Sequence, residues 1–156
     1  MTNPVPIALA QLNAHLGNID ANINRLARAR AKAAANGAEI IVTPEMYLSG
    51  YPCDDLVLRD DFMNDIAAGI DQLASLTADG GPAIAVGAPT KDGGNIYNSV
   101  FVLDDGKQIA RFDKVNLPNY GVFDDKRNFT SGQMPGPIML RGLKIGFPIC
   151  EDIWEP

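Results

Sequence analysis

The chain has 156 residues, with 13 Lys+Arg against 19 Asp+Glu and a formal net charge of −6. Nucleic-acid binding needs clustered basic side chains, and the basic residues here are scattered, so the charge argues against a nucleic-acid partner. The 46% hydrophobic content excludes a disordered tail, and no apolar run is long enough to span a membrane. We therefore expect one compact domain with a single core.

Apolar periodicity and turn residues predict a series of strands and helices. In chain order these are a strand over 5–12, a helix over 19–35, a strand over 39–42, a helix capped by Asp60 or Asp61 and ended by residues 78–81, and strands over 82–88, 96–103, 108–112, 138–140 and 143–149. We expect Asp20 to cap the first helix. This order predicts an α/β fold with a mixed sheet and both helices on one face.

A long irregular stretch over residues 114–136 follows the fifth strand. It is rich in Asn, Asp, Gly and Pro but also carries Tyr120, Phe123 and Phe129. Irregular segments of this length in a compact domain are usually functional.

Cellular compartment is indicated by the cysteines and the N-terminus. Cys53 and Cys150 lie far apart and have no zinc-ligand or disulfide-framework spacing. The first residues lack the basic region and the long apolar core of a signal peptide. We therefore expect a reduced, cytoplasmic setting and no metal site.

Cys150 is the candidate nucleophile. It ends an apolar strand and precedes residues suited to the first turn of a helix, where backbone N–H groups would favour the thiolate form. Free cysteine is also among the most buried residue types, so a purely structural thiol is the alternative.

A nucleophilic thiol needs a base, and two residues are candidates. His15, the single histidine, lies in a polar loop with no identifiable Asn or Asp partner, which disfavours a Cys-His dyad. Glu45 follows the strand over 39–42, and Pro44 fixes the chain before it, although a solvated loop acid is the alternative. Lys114 is placed to meet a developing oxyanion, although most lysines are only solvated surface.

Three motifs in this order resemble the Glu-Lys-Cys triad of the nitrilase, or carbon–nitrogen hydrolase, superfamily. They are Val-Thr-Pro-Glu at 42–45, Lys114, and Phe-Pro-Ile-Cys-Glu-Asp at 147–152. The run Leu-Pro-Asn-Tyr-Gly-Val-Phe-Asp at 117–124 resembles, more narrowly, the glutaminase domains of the glutamine-dependent NAD synthetase family. The resemblance covers the whole chain.

This resemblance implies a four-layer α-β-β-α sandwich in which Cys150 attacks the side-chain amide of glutamine. Glu45 would act as base and acid, and Lys114 with the backbone N–H of Glu151 would hold the oxyanion. Tyr120 and Glu151 would bind the glutamine, and this step would need no cofactor.

Two positions depart from the family pattern. Asp125 stands where many relatives carry a glutamate that supports the triad, and its shorter side chain would weaken a bond to Lys114 or require a shift of the loop. Cys53 lies where proline or a polar residue is expected, and we interpret it as incidental.

The resemblance extends beyond the glutaminase step. The ammonia would pass to a synthetase domain that uses ATP and magnesium to amidate deamido-NAD, in a protein expected to be a homo-oligomer. Residues 1–156 would hold only the N-terminal part of the sandwich and no synthetase domain, so we expect this chain alone to be inactive. Two alternatives stay open: another amidase of the superfamily, such as a carbamoylase or ω-amidase, and a non-catalytic interaction module.

Overall fold

The computed structural model describes residues 4–133 and 136–154. In chain order the elements are β1 (Ile7–Leu9), α1 (Ile19–Ala35), β2 (Ile40–Val42), α2 (Asp60–Leu76), β3 (Ala83–Asp92), β4 (Asn95–Asp104), β5 (Lys107–Asp113), α3 (Asp125–Asn128), β6 (Ile138–Leu140) and β7 (Leu143–Ile145). Short 3₁₀ turns cover Asp54–Leu58, Thr77–Asp79 and Cys150–Ile153.

Strands β1 to β5 form one mixed sheet in sequence order. β1, β2 and β3 are parallel and are connected through α1 and α2, whereas β3, β4 and β5 are antiparallel neighbours. β6 and β7 pair separately as an antiparallel hairpin. The predicted mixed α/β architecture is confirmed.

Alternate residues of the sheet face two different layers. Ile41, Ile84 and Leu103 belong to the core that α1 and α2 share. Ile40 and Val102 instead belong to a second cluster with residues of the β6–β7 hairpin. Because successive side chains of a strand point to opposite faces, the five-stranded sheet lies between the helices and the hairpin, in the α-β-β order of the sandwich.

The helix starts differ from the predicted caps. Asn18, rather than Asp20, caps α1, because its side chain accepts the backbone N–H of Ala21 at 3.1 Å. α2 begins at Asp60, but its N-cap is Arg59, which makes no side-chain cap bond. Asp61 instead pairs with Arg59 within the first turn.

Four strands differ from their predicted lengths because of their partners. β1 is shorter than predicted because it pairs only with the three residues of β2. β7 stops at Ile145 because its partner β6 is equally short. The β3–β4 hairpin is longer than predicted, since its polar outer ends still pair where no apolar pattern marks them. Two residues of the predicted loop, 134 and 135, lie outside the described part of the chain.

Gly87 of β3 brings the segment after β2 against the sheet. A Cβ at this position would lie 2.5 Å from the backbone nitrogen of Met46 and 2.7 Å from the carbonyl oxygen of Pro44. The Gly87 carbonyl also accepts the N–H of Leu48 at 2.9 Å. This close approach fixes the backbone that carries Glu45.

Neither α1 nor α2, nor any shorter helix in the described ranges, combines the length and the apolar character of a membrane-crossing segment.

We expect Gly87→Ala to lower the free energy of unfolding by about 1–3 kcal/mol, because the added methyl group overlaps backbone atoms that cannot move aside cheaply. Gly136→Ala is the matched control, since its added Cβ meets no atom within 4 Å in the described part of the chain, its own chain neighbours aside. Urea unfolding of both variants measures the difference. Equal stability of the two variants would contradict the close approach at Gly87.

The buried thiol of Cys53 predicts a loss of stability at alkaline pH. The thiol lies in the core beneath the helices, and this burial raises its pKa from 9.0 to about 11. As the pH rises, the unfolded chain therefore loses this proton before the folded chain does. The contribution of this thiol to the free energy of unfolding is fully present below pH 9 and is lost as the pH rises towards 11. The loss amounts to about 2–3 kcal/mol for a shift of this size.

The comparison of Cys53→Ala with the unchanged protein isolates this contribution. We expect the free energy of unfolding of the variant to fall less steeply between pH 9 and pH 11, while the other alkaline-titrating groups contribute equally to both proteins. Parallel pH dependences would show that the buried thiol does not resist ionisation.

Candidate active site

Glu45, Lys114 and Asp125 meet at one edge of the sheet. Lys114 follows β5, and its Nζ donates to Glu45 Oε1 and to Asp125 Oδ2, each at 2.8 Å. Glu45 follows β2, and Asp125 begins the short helix α3. Three separate segments therefore converge on one ammonium group.

The Lys114 ammonium is buried, with 1% of the side chain exposed. Burial by itself lowers the pKa of Lys114, but its hydrogen bonds to Asp125 and Glu45 and their negative charges outweigh burial and raise the pKa above its ordinary value. The group is therefore a permanent cation at neutral pH. Asp125 is itself 4% exposed and reaches Lys114 despite being one methylene shorter than glutamate.

Cys150 lies beside this group on the 3₁₀ turn after β7. Its φ of 46° is in the left-handed region, an uncommon conformation for a residue with a side chain. Residues held in this way are found most often at functional sites.

The predicted preference of Cys150 for the thiolate is wrong. Loss of part of the thiol's hydration raises its pKa, the charge of Glu45 raises it further, and the opposing effect of Lys114 is smaller. A reaction at this sulfur therefore needs a base, and Glu45 is the carboxylate with the largest effect on the thiol.

Asp152 holds the turn of Cys150 in place, and the sequence did not single it out. Its Oδ1 accepts the backbone N–H groups of Val115 at 3.0 Å and Asn116 at 2.8 Å. Its Oδ2 accepts the N–H of Ile149 at 3.0 Å. One carboxylate thus joins the residue before Cys150 to the two residues after Lys114.

Asn98 is the second residue that the sequence did not single out. It lies in β4 with 1% of its surface exposed, and its Nδ2 donates to Glu45 Oε1 at 2.6 Å. Its backbone carbonyl accepts the N–H of Lys114 at 2.8 Å. The sequence signal was an amide inside an otherwise apolar strand pattern.

Tyr120 and Glu151 lie together at the mouth of the site. The Tyr120 hydroxyl donates to Glu151 Oε1 at 2.8 Å, and this bond raises the pKa of Tyr120. Both residues line an open groove of about 600 Å³, which also includes residues 115–119, Lys126 and Ser131.

The remaining candidates are not part of this cluster. His15 lies in the loop before α1, where its backbone N–H donates to the side chain of Asn22. Cys53 is buried in the core. Within residues 4–133 and 136–154, no three His, Cys, Asp or Glu side chains come together as a metal site.

Comparison with known proteins gives close relatives along the whole chain. The glutamine-dependent NAD(+) synthetase of Rhodobacter capsulatus is 41% identical over 156 residues, which are 100% of this chain and 28% of that protein. The synthetase of Thermotoga maritima is 36% identical over 150 residues, 96% of this chain and 26% of that protein. The chain thus spans little more than a quarter of these relatives.

Solved structures give the same picture. The glutamine-dependent NAD+ synthetase of Acinetobacter baumannii, in complex with ADP, aligns with a TM-score of 0.89 and 38% identity over 95% of this chain and 28% of that one. An amidase from Nesterenkonia sp. aligns with a TM-score of 0.77 and 26% identity over 88% of this chain and 52% of that one. A variant of that amidase carries a covalent addition at its active-site cysteine.

The sequence profile of the carbon-nitrogen hydrolase family matches residues 6–156, nearly the whole chain. The chain therefore belongs to the carbon–nitrogen hydrolase family.

Proposed function

We propose that this chain forms the glutaminase site of a glutamine-dependent NAD synthetase, in which Cys150 hydrolyses the side-chain amide of glutamine through a thioester. The observation that carries the proposal is the buried Lys114 ammonium, which is bonded to Glu45 and Asp125 beside a thiol that needs a base. The likeness to the synthetases of Rhodobacter and Acinetobacter supports glutamine as the substrate.

In the first half of the reaction, Glu45 takes the proton of the Cys150 thiol as the sulfur attacks the carboxamide carbon. The tetrahedral intermediate collapses when Glu45 returns this proton to the departing nitrogen, which leaves as ammonia. The resting thiol keeps its proton until substrate is present, since the pKa of Cys150 is raised.

Lys114 stabilises the oxyanion of that intermediate. An ammonium has three N–H donors, and two of them are directed to Glu45 and Asp125, so one remains for the substrate oxygen. The backbone N–H of Glu151 is the second proposed donor. A fixed cation in a site of low polarity stabilises developing charge more strongly than water does.

In the second half, Glu45 activates the water that hydrolyses the thioester, and glutamate leaves. We propose that Tyr120 and Glu151 orient the substrate from the groove at the mouth of the site. The carboxylate of Glu151 suits the α-amino group of glutamine, while its hydrogen bond to Tyr120 fixes its orientation.

For the protein as a whole, we propose that the ammonia amidates deamido-NAD in a synthetase portion, as the names of the relatives indicate. ATP and magnesium would serve that portion, and no step at Cys150 passes through them. A homo-oligomeric assembly stays a prediction from the family resemblance, and a cytoplasmic setting stays one from the cysteines and the N-terminal residues.

The Nesterenkonia likeness favours a second candidate, an amidase that acts without a synthetase partner. The same Glu-Lys-Cys chemistry would then hydrolyse another amide. Glutamine-dependent formation of NAD from deamido-NAD separates the two, because a stand-alone amidase does not support it.

We expect Cys150→Ala in the complete gene product to abolish glutamine-dependent NAD formation and to leave ammonia-dependent formation within about twofold of the unchanged enzyme. Glu45→Gln should lower glutamine hydrolysis by about 100-fold or more, since general-base catalysis contributes 10²–10⁴-fold. His15→Ala is the matched control and should retain full activity. Ammonia release from glutamine by Cys150→Ala would overturn the proposed function.

Asp125 gives a separate expectation. Asp125→Asn removes one of the two charges that hold the buried ammonium, so we expect a loss of about 3 kcal/mol in the free energy of unfolding. Asp125→Glu keeps the charge and should lose less. Chemical denaturation measures both variants, and an undiminished stability of Asp125→Asn would show that Glu45 alone suffices to hold Lys114.

A further inference from the structure

We propose that Asn98 is a positioning residue that determines which oxygen of Glu45 acts as the base. This inference rests on the proposed glutaminase function and deepens it. Asn98 binds Oε1 of Glu45, so that Oε2 is left to exchange the proton with Cys150 and the substrate.

Two donors meet on the same carboxylate oxygen. Asn98 Nδ2 lies 2.6 Å and Lys114 Nζ lies 2.8 Å from Glu45 Oε1. Both of these hydrogen bonds go to Oε1, and none among the described residues goes to Oε2. The carboxylate is therefore held at one oxygen, and the other has the free lone pairs that a base needs.

The orientation of the Asn98 amide follows from its partner. Its nitrogen faces a carboxylate oxygen, because a flipped amide would place its own carbonyl oxygen against that acceptor. The consequence is that Asn98 Oδ1 is buried and, within the part of the chain that the structure describes, makes no hydrogen bond.

An orphaned buried acceptor is unfavourable for folding, and an apolar side chain of similar size would avoid it. The fold alone therefore gives no reason for an amide at this position. The hydrogen bond to Glu45 does give a reason, so we infer that Asn98 serves the reaction as well as the sheet.

Asn98 also holds the second charged group of the site. Its backbone carbonyl accepts the N–H of Lys114 at 2.8 Å, so one residue of β4 contacts both the base and the residue that carries the cation. Asn98 is paired with Pro89 of β3, and β5 pairs with the strand from Ser99 onwards, so both contacts come from a residue held in the sheet. Without the amide, Glu45 can rotate and present either oxygen to Lys114.

The test uses the complete gene product with Asn98→Leu, which keeps the branched shape of the side chain but has no donor, and with Asn98→Ala as the second variant should the larger leucine not be accommodated. Ser99→Ala is the matched control, because Ser99 is the next buried polar residue of β4 and its hydroxyl donates to Asp113 instead of Glu45. The measurements are kcat and KM for glutamine hydrolysis, the thermal unfolding midpoint, ammonia-dependent NAD formation, and the rate at which iodoacetamide alkylates Cys150.

We expect a 10–100-fold lower kcat in the Asn98 variants, KM within about threefold, slower alkylation of Cys150 and unchanged use of ammonia. Ser99→Ala should match the unchanged enzyme in kcat. A kcat within threefold of the unchanged enzyme in the Asn98 variants, a loss carried by KM alone, or an equal loss of kcat in Ser99→Ala overturns the inference.

Cys150→Ala, measured in parallel, distinguishes a failure of the proposed glutaminase function from a failure of the proposed role of Asn98. If it releases ammonia from glutamine, the proposed function fails and the role of Asn98 fails with it. If it is inactive while the Asn98 variants keep full kcat, only the role of Asn98 is overturned.

Discussion

The buried ammonium of Lys114 is the interaction on which the site depends. A cation removed from water is unfavourable unless negative partners surround it, and Glu45 and Asp125 are those partners at 2.8 Å each. Each partner comes from a different segment of the chain. The position of the cation therefore requires that β2, β5 and α3 all lie in their observed places, so the fold and the chemistry share one constraint.

Two close backbone approaches make this convergence possible. Gly87 lets the segment of Glu45 lie directly on β3, and Gly132 lets the loop after α3 pass over β5, where a Cβ would lie 2.4 Å from the carbonyl oxygen of Asp113. Asp152 then joins the Cys150 turn to the residues after Lys114. Short connections, more than the elements themselves, set the distances within the site.

The sequence predicted the order of the elements and most of the site, because both leave local signals. Apolar periodicity marked the strands, and motifs of adjacent residues marked Glu45, Lys114 and Cys150. The cap at Asn18 was missed because Asp20 offered an equally good local pattern. The roles of Asn98 and Asp152 were missed for a different reason: their side chains join them to Glu45 and to Val115 and Asn116, each more than 30 positions away, and only the folded chain brings these residues together.

The prediction that Cys150 favours the thiolate was wrong for the same reason. The sequence next to a thiol does not show which distant charges the folded chain brings close to it. A strand followed by a helix start lowers the pKa of a thiol when the thiol is well hydrated and no negative charge lies near it. Here the thiol has lost part of its hydration and lies near the charge of Glu45, so its pKa is raised instead. A protonated resting thiol makes the base indispensable, and a base with two equivalent oxygens must be oriented. The charge of Glu45 helps to keep the thiol protonated and so makes an oriented base necessary. The hydrogen bond of Asn98 to one carboxylate oxygen provides that orientation.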